Sequence, residues 1–226
     1  GHLRPLTFIC PIIKTINPIL VFNKRFQYFD MVNKLTFLFV LLIFSCTSCK
    51  NPKAKNNDSE TTIEDFNTIS INNEYHIKMP RFLKGTTGLN EEASLQYQSL
   101  RREAYVIIID EPKKGFEEVY RDLEQYDDHL SVIQNYRDAR LKILSRTTEI
   151  NRKSEPTSIK IHGLNAEFLE LDAKVNGLNN EISYFLTFVD GDEKVYMIMC
   201  WTLKNQKDEH KKTFKTIAES FELTQE

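Results

Sequence analysis

Along the 226 residues, apolar positions fall into three regimes. Between Met31 and Cys49 they run together: MVNKLTFLFVLLIFSCTSC holds an apolar core, Leu35–Phe44, broken only by Thr36. Between Lys50 and Glu64 the chain is polar. From Phe66 onward the apolar positions become periodic, and the period switches between two and about 3.6, so strands and helices can be read from it.

Thr68–Ile71 and Tyr75–Met79 read as short strands around the turn pair Asn72-Asn73. Pro80 ends the second, because it lacks a ladder N–H. Arg81–Glu92, with Gly85 and Gly88, reads as a loop. Ala93–Leu100 alternates through Leu95, Tyr97 and Ser99. Tyr105–Ile109 (YVIII) is the continuous β-branched run of a strand covered on both faces. After Gly115, residues Phe116, Val119, Tyr120, Leu123 and Tyr126 recur at helical spacing. A second run follows through Leu130, Ile133, Tyr136, Arg137 and Leu141. Asp127-Asp128 lies between them, and Asp favours the N-cap over helix interiors. The pattern predicts one bent helix, or two in succession, ending near Arg146.

Ser154–Lys160, which contains Pro156, leads back into strands. Ile159–Ile161 runs into His162-Gly163, a turn signal, and Ala166–Ala173 alternates. Asn176-Gly177 is the strongest hairpin signal in the chain. Glu181–Val189 and Val195–Leu203 flank the turn at Asp190-Gly191-Asp192. Ile182, Tyr184, Leu186 and Phe188 share one face of the first strand; Val195, Met197, Met199 and Trp201 share one face of the second. Phe185, Val189, Tyr196, Ile198 and Cys200 make the opposite faces apolar too, which places this hairpin inside a sheet covered on both sides. Lys207–Glu219 reads as a closing helix with a buried stripe of Phe214, Ile217, Ala218 and Phe221. Helices segregated from an antiparallel meander predict an α+β domain, residues 65–226, with helices on both faces of the sheet.

The N-terminal third changes the picture from fold to address. Lys34 precedes the apolar core, which is too short for a comfortable membrane span of ~20 residues but fits the hydrophobic region of a secretory signal. Ile43-Phe44-Ser45-Cys46 and Cys46-Thr47-Ser48-Cys49 both resemble a bacterial lipobox. In that motif an aliphatic residue at −3 and a small residue at −1 precede a cysteine whose thiol takes the diacylglycerol. Cys46 has the better −3 residue in Ile43; Cys49 has the smaller −2 residue in Thr47. The lipidation site is therefore expected at Cys46, or at Cys49, with residues 31–49 as signal and lipobox. An ordinary secretory signal or an uncleaved anchor is the plainer reading of the same run. Residues 50–64, rich in Asn, Lys, Ser and Thr, read as a disordered tether. Residues 1–30 begin with Gly1 and carry Pro5, Pro11, Lys14 and Pro18. They read as an upstream segment outside the mature protein, the rival being a weak first membrane helix over Leu6–Phe22.

Charge follows the same division. Residues 1–50 carry +5 and the rest −7, within a total of −2. A mildly acidic domain argues against nucleic-acid binding, which needs clustered Lys and Arg. Of the four cysteines, Cys200 alone falls in the domain, inside an apolar run where a thiol packs as a small hydrophobe. His76, His129, His162 and His210 are scattered, with no i, i+4 pair, so they read as surface histidines and not as a zinc site. Asp190-Gly191-Asp192-Glu193 has a calcium-loop flavour without the twelve-residue ligand spacing, and reads as a solvated hairpin turn. Glu117-Glu118 and Asp127-Asp128-His129 read as a wet helix face. No phosphate loop or catalytic signature occurs, so no catalytic residue, metal or cofactor is assigned. The Arg81–Glu92 loop is the best guess for a binding segment.

Three features together resemble the PsbP-like superfamily, including its DcrB-type bacterial lipoprotein branch. They are Tyr75–Pro80 (YHIKMP), the Tyr105–Glu111 strand (YVIIIDE) followed by a helix, and the closing EISYFLTFVDGDEKVYMIMCWT, helix, Glu219-Ser220-Phe221-Glu222-Leu223. The resemblance spans roughly residues 66–223 and rests on packing motifs. It implies an α/β/α sandwich around an antiparallel sheet and carries no catalytic residue. With the lipobox, it leads to the expectation of a non-enzymatic binding or assembly module. That module would be lipid-anchored in the bacterial cell envelope, facing the periplasm or the cell surface, with a protein partner there. The alternative is a small-ligand carrier or a hydrolase using a cleft beside the sheet.

Overall fold

The computed structural model describes residues 66–224. The apolar run, Cys46, Cys49 and the tether at 50–64 lie outside the described residues. The elements are β1 (Phe66–Ile71), β2 (Tyr75–Pro80), β3 (Lys84–Gly85), β4 (Leu95–Ser99), β5 (Ala104–Pro112), α1 (Lys113–Asp122), α2 (Val132–Leu144), β6 (Thr148–Lys153), β7 (Thr157–Ile161), β8 (Leu164–Val175), β9 (Glu181–Asp190), β10 (Lys194–Leu203), α3 (Lys207–Glu219) and β11 (Glu222–Leu223). The large antiparallel sheet has the order β3-β4-β5-β10-β9-β8-β6, with β7 beside β6 on the same flank of β8. A small sheet, β1-β2-β11, lies apart from it.

The final hairpin sits where its composition requires. β10 pairs with both β5 and β9, with Met199 opposite Ile107 on one side and Leu186 on the other. Ile182, Tyr184, Leu186, Phe188, Val195, Met197, Met199 and Trp201 pack into one core with Phe116, Ile133, Tyr136 and Leu144 of α1 and α2. Phe185, Val189, Tyr196, Ile198 and Cys200 pack into the other with Phe214, Ile217, Ala218 and Phe221. Helices therefore cover both faces, giving the α+β sandwich. On the α3 face the small sheet shares the covering, through Tyr75, Ile77 and Met79 of β2. Tyr75 and Tyr196 both close on Phe221, with ring centroids 5.1 and 4.9 Å away.

The predicted helical stretch is two helices, and the first is shorter than its periodicity. It ends at Asp122, so Leu123 and Tyr126 fall in the connection. The break is fixed from the far side: Ser131 caps α2 in a reciprocal capping box with Gln134. Asn135 then holds the connection, donating to the Asp127 carbonyl at 2.9 Å and accepting from the Asp127 N–H at 2.8 Å. Asp127 is thus a turn residue and not the cap. The Arg81–Glu92 loop contains β3, which pairs with β4, and the Gln96 side chain ties its Leu89 and Asn90 amides at 2.8 and 3.0 Å. β6 has no counterpart in the sequence reading.

Candidate functional site

The flank of β8 is the place where the fold leaves backbone unpaired beside open space. β8 is twelve residues long. β6 covers its C-terminal half and β7 its N-terminal half. Between them Ser154 bridges to Glu170, its N–H donating to the Glu170 carbonyl and its hydroxyl accepting from the Glu170 N–H. Pro156 then enters β7, at a strand start where a missing N–H is harmless. β7 closes on β8 through His162-Gly163, both at positive φ (46° and 87°), the requirement of a type I′ turn. A two-residue turn of this kind leaves Ile161 and Leu164 as a hydrogen-bonded pair. Counting back by two, Thr157, Ile159 and Ile161 spend their main-chain groups on β8. Ser158 and Lys160 direct theirs outward, where no strand among the described residues pairs with them.

A cleft opens on each side of this strand. On the α3 side, a hollow of about 320 Å³ is floored by Ile159, Phe168, Phe185, Thr187 and Ala218, with Lys211, Lys215 and their partners Glu170 and Glu219 at its rim. On the α2 side, a wider hollow of about 530 Å³ is bordered by Ser131, Ile133, Gln134, Ser158, Lys160 and Glu167. Alternation along β7 explains the sorting: Thr157 and Ile159 face α3, while Ser158 and Lys160 face α2.

Ion pairs hold the walls. Arg137 of α2 binds the buried Glu167 of β8. Lys207 of α3 reaches Asp172 and Glu170 of β8 at 3.0 and 3.1 Å, and Lys211 reaches Glu170 at 2.9 Å. Burial alone would raise the Glu170 pKa, but the Lys211 and Lys207 contacts outweigh it and hold the carboxylate below its usual range. Asp172 likewise is raised by burial and pulled lower overall by the Ser183 hydroxyl and Lys207. Beneath α2, the buried Arg140 pairs with Glu111; burial pushes its pKa down to about 10, against the pull of Glu92.

The residues singled out in the sequence go elsewhere. His76 on β2 lies 2.8 Å from the Ser70 hydroxyl. His162 is in the β7–β8 turn, 4.0 Å from Glu222, both half exposed. His129 is exposed in the α1–α2 connection. His210 is no surface histidine: it is 2% exposed, packs against Phe214 and donates from Nε2 to the Arg102 carbonyl at 2.9 Å. Burial depresses its pKa. None of the four borders the two clefts beside β7. Cys200 is a free, buried thiol whose pKa burial raises. Asp190 pairs with Lys113 at 2.7 Å, and no cluster of three metal-binding side chains occurs among the described residues. No helix of the described residues is long and apolar enough to cross a membrane. The β7 edge itself was missed as a site, though its signal is present: a proline followed by five residues alternating T, S, I, K, I.

No family model and no curated protein sequence matches the chain. Solved structures similar to it include cyanobacterial PsbP (CyanoP) from Synechocystis sp. PCC 6803, at 15% identity and a TM-score of 0.45, covering 78% of this chain and 98% of that one. LpqN of Mycobacterium tuberculosis, described as involved in cell envelope biogenesis, matches at 11% identity and 0.44, over 67% and 83%. The Ran-binding protein Mog1p of Saccharomyces cerevisiae matches at 8% and 0.45, over 70% and 95%. Likeness of this degree concerns the fold and carries no role to this chain.

Proposed function

We propose that this chain is a lipid-anchored bacterial envelope protein that works by binding another protein, not by catalysis. The observation that carries the reading is the order of parts in the sequence. A charged start and a ten-residue apolar core lead to cysteines in lipobox setting, then a polar stretch, then a folded α+β domain beginning at Phe66. The diacylglycerol on Cys46, or on Cys49, holds the domain at a membrane surface. One acyl group alone gives only marginal membrane affinity, and two or more make an anchor stable. The domain then presents its surface to the periplasm or the cell exterior. Its charged residues beside the clefts serve as struts between helix and sheet, which supports a docking role over a hydrolytic one.

The test is metabolic labelling with an azido-fatty acid. The wild-type chain takes up label, and either Cys46→Ser or Cys49→Ser abolishes it, which assigns the site. An unlabelled wild-type chain rules the anchor out. In the same cells, a photo-crosslinking residue placed at exposed positions around the domain must trap a protein partner; none trapped from any position defeats the binding role.

A further inference from the structure

We infer that β7 is a docking edge, to which an extended segment of a partner protein adds as a further strand of the large sheet. The inference rests on the protein-binding reading above and deepens it. Strand addition needs an unpaired edge with outward N–H and C=O groups, and room on both faces for alternate side chains of the incoming strand. β7 supplies both. Ser158 and Lys160 hold the outward main-chain groups, and the two clefts lie one on each face of the same strand.

Other edges among the described residues lack this combination. β6 is interrupted by an irregular register between Ile150 and Arg152 and bears Glu149, Arg152 and Lys153, the devices that blunt an edge. β3 has only two residues. β1 and the two-residue β11 are edges of the small sheet, not of the large one.

The clefts also state what the partner strand must carry. Its residues facing α3 meet Ile159, Phe168, Phe185 and Ala218, so they are apolar and recur at every second position. Lys211 and Lys215 at the rim are already matched by Glu170 at 2.9 Å and Glu219 at 3.6 Å. Lys160, exposed on the α2-facing side of the strand, donates to the neutral Asn165 amide oxygen and is the cation left for a partner. The complement to Lys160 is an acidic residue on the α2-facing side of the incoming strand, between the apolar ones. This charge argument disfavours a second copy of the chain. Two β7 strands paired about a two-fold axis would bring their Lys160 residues together, and like charges across paired strands are destabilising.

The experiment uses the full chain in detergent and a displayed library of random nonapeptides. Enriched peptides are expected to alternate apolar residues and to contain acidic ones. Ser158→Pro removes one outward N–H and leaves the bonds to β8 intact. It is expected to weaken binding of the enriched peptides roughly tenfold, the worth of about one hydrogen bond, with an unchanged melting temperature; Ser158→Ala is expected to bind as wild type. Methylating two successive backbone nitrogens of a peptide should have the same effect as the proline. Failure to enrich any peptide, or equal binding to Ser158→Pro, overturns the proposal. A solution dimer abolished by Ser158→Pro also overturns it, by giving the edge to a second copy. In cells, a crosslinker at Lys160 is expected to trap the partner. If one at Glu118 traps a protein and Lys160 does not, the edge is wrong while the protein-binding reading stands; if no surface position traps one, both are wrong.

Discussion

Gly191 shows how closely single residues are constrained here. It opens the β9–β10 hairpin, and a Cβ at that position would lie 2.7 Å from Cε2 of Tyr196 and 2.9 Å from the Lys194 carbonyl oxygen. The Tyr196 ring cannot swing away freely, because its hydroxyl donates to Glu74 at 2.8 Å and Glu74 is paired with Lys194 at 2.7 Å. Gly191→Ala is expected to lose ~1–3 kcal/mol through forced displacement in a packed site, read as a lower urea midpoint at constant slope. Asp172 carries a different prediction. Its folded pKa is depressed, so its stabilisation is fully present above the unfolded Asp value of about 3.9 and is lost as pH falls through the folded pKa. Melting temperatures between pH 7 and pH 3 should fall steeply in the wild type. They should fall less in Asp172→Asn, which cannot release or take up that proton. Equal slopes would show that the Ser183 and Lys207 contacts contribute nothing.

At the scale of elements, α3 and the strands of the final hairpin were legible because their periodicity and their burial coincide. β6 was not: TEINRK is a polar edge strand whose place comes from pairing with β8, a long-range contact that leaves no local alternation. α1 was overextended because Tyr126, at helical spacing from Val119 and Leu123, reaches the same core as Phe116 from a loop. His210 was legible in principle, since 210, 214, 217, 218 and 221 form one stripe; a polar residue type hid it. Cys46 and Cys49 were read from local motif alone; at β7 Pro156 and the alternation of Thr157–Ile161 mark a strand, but its openness was missed, since an open edge is defined by what does not pair with it. Ile198 tests the central element. It is 0% exposed in β10, between β5 and β9 and beneath α3. Ile198→Asp buries a charge without a partner and is expected to cost several kcal/mol, enough to unfold a domain of ordinary stability. A soluble Ile198→Asp variant melting cooperatively at the wild-type midpoint would remove this strand from the sheet interior.

At the scale of the whole domain, residues 66–224 form a sandwich with two cores. One core is sealed by α1 and α2, the other by α3 and the small sheet, so the large sheet is covered on both faces and its reactive surface is reduced to edges. Anchoring through the N-terminus would hold such a domain at the membrane and leave the β7 flank to meet a partner. The proposed anchoring depends on where the mature chain begins. The direct measurement is the intact mass, and the N-terminal peptide, of the protein purified from a bacterial membrane fraction. A mature chain starting at Cys46 or Cys49, heavier than its polypeptide by a diacylglycerol and released to the soluble fraction by serine substitution at that cysteine, is the predicted result. A chain that keeps residues 31–45, or that starts elsewhere with an unmodified amino terminus, would contradict it.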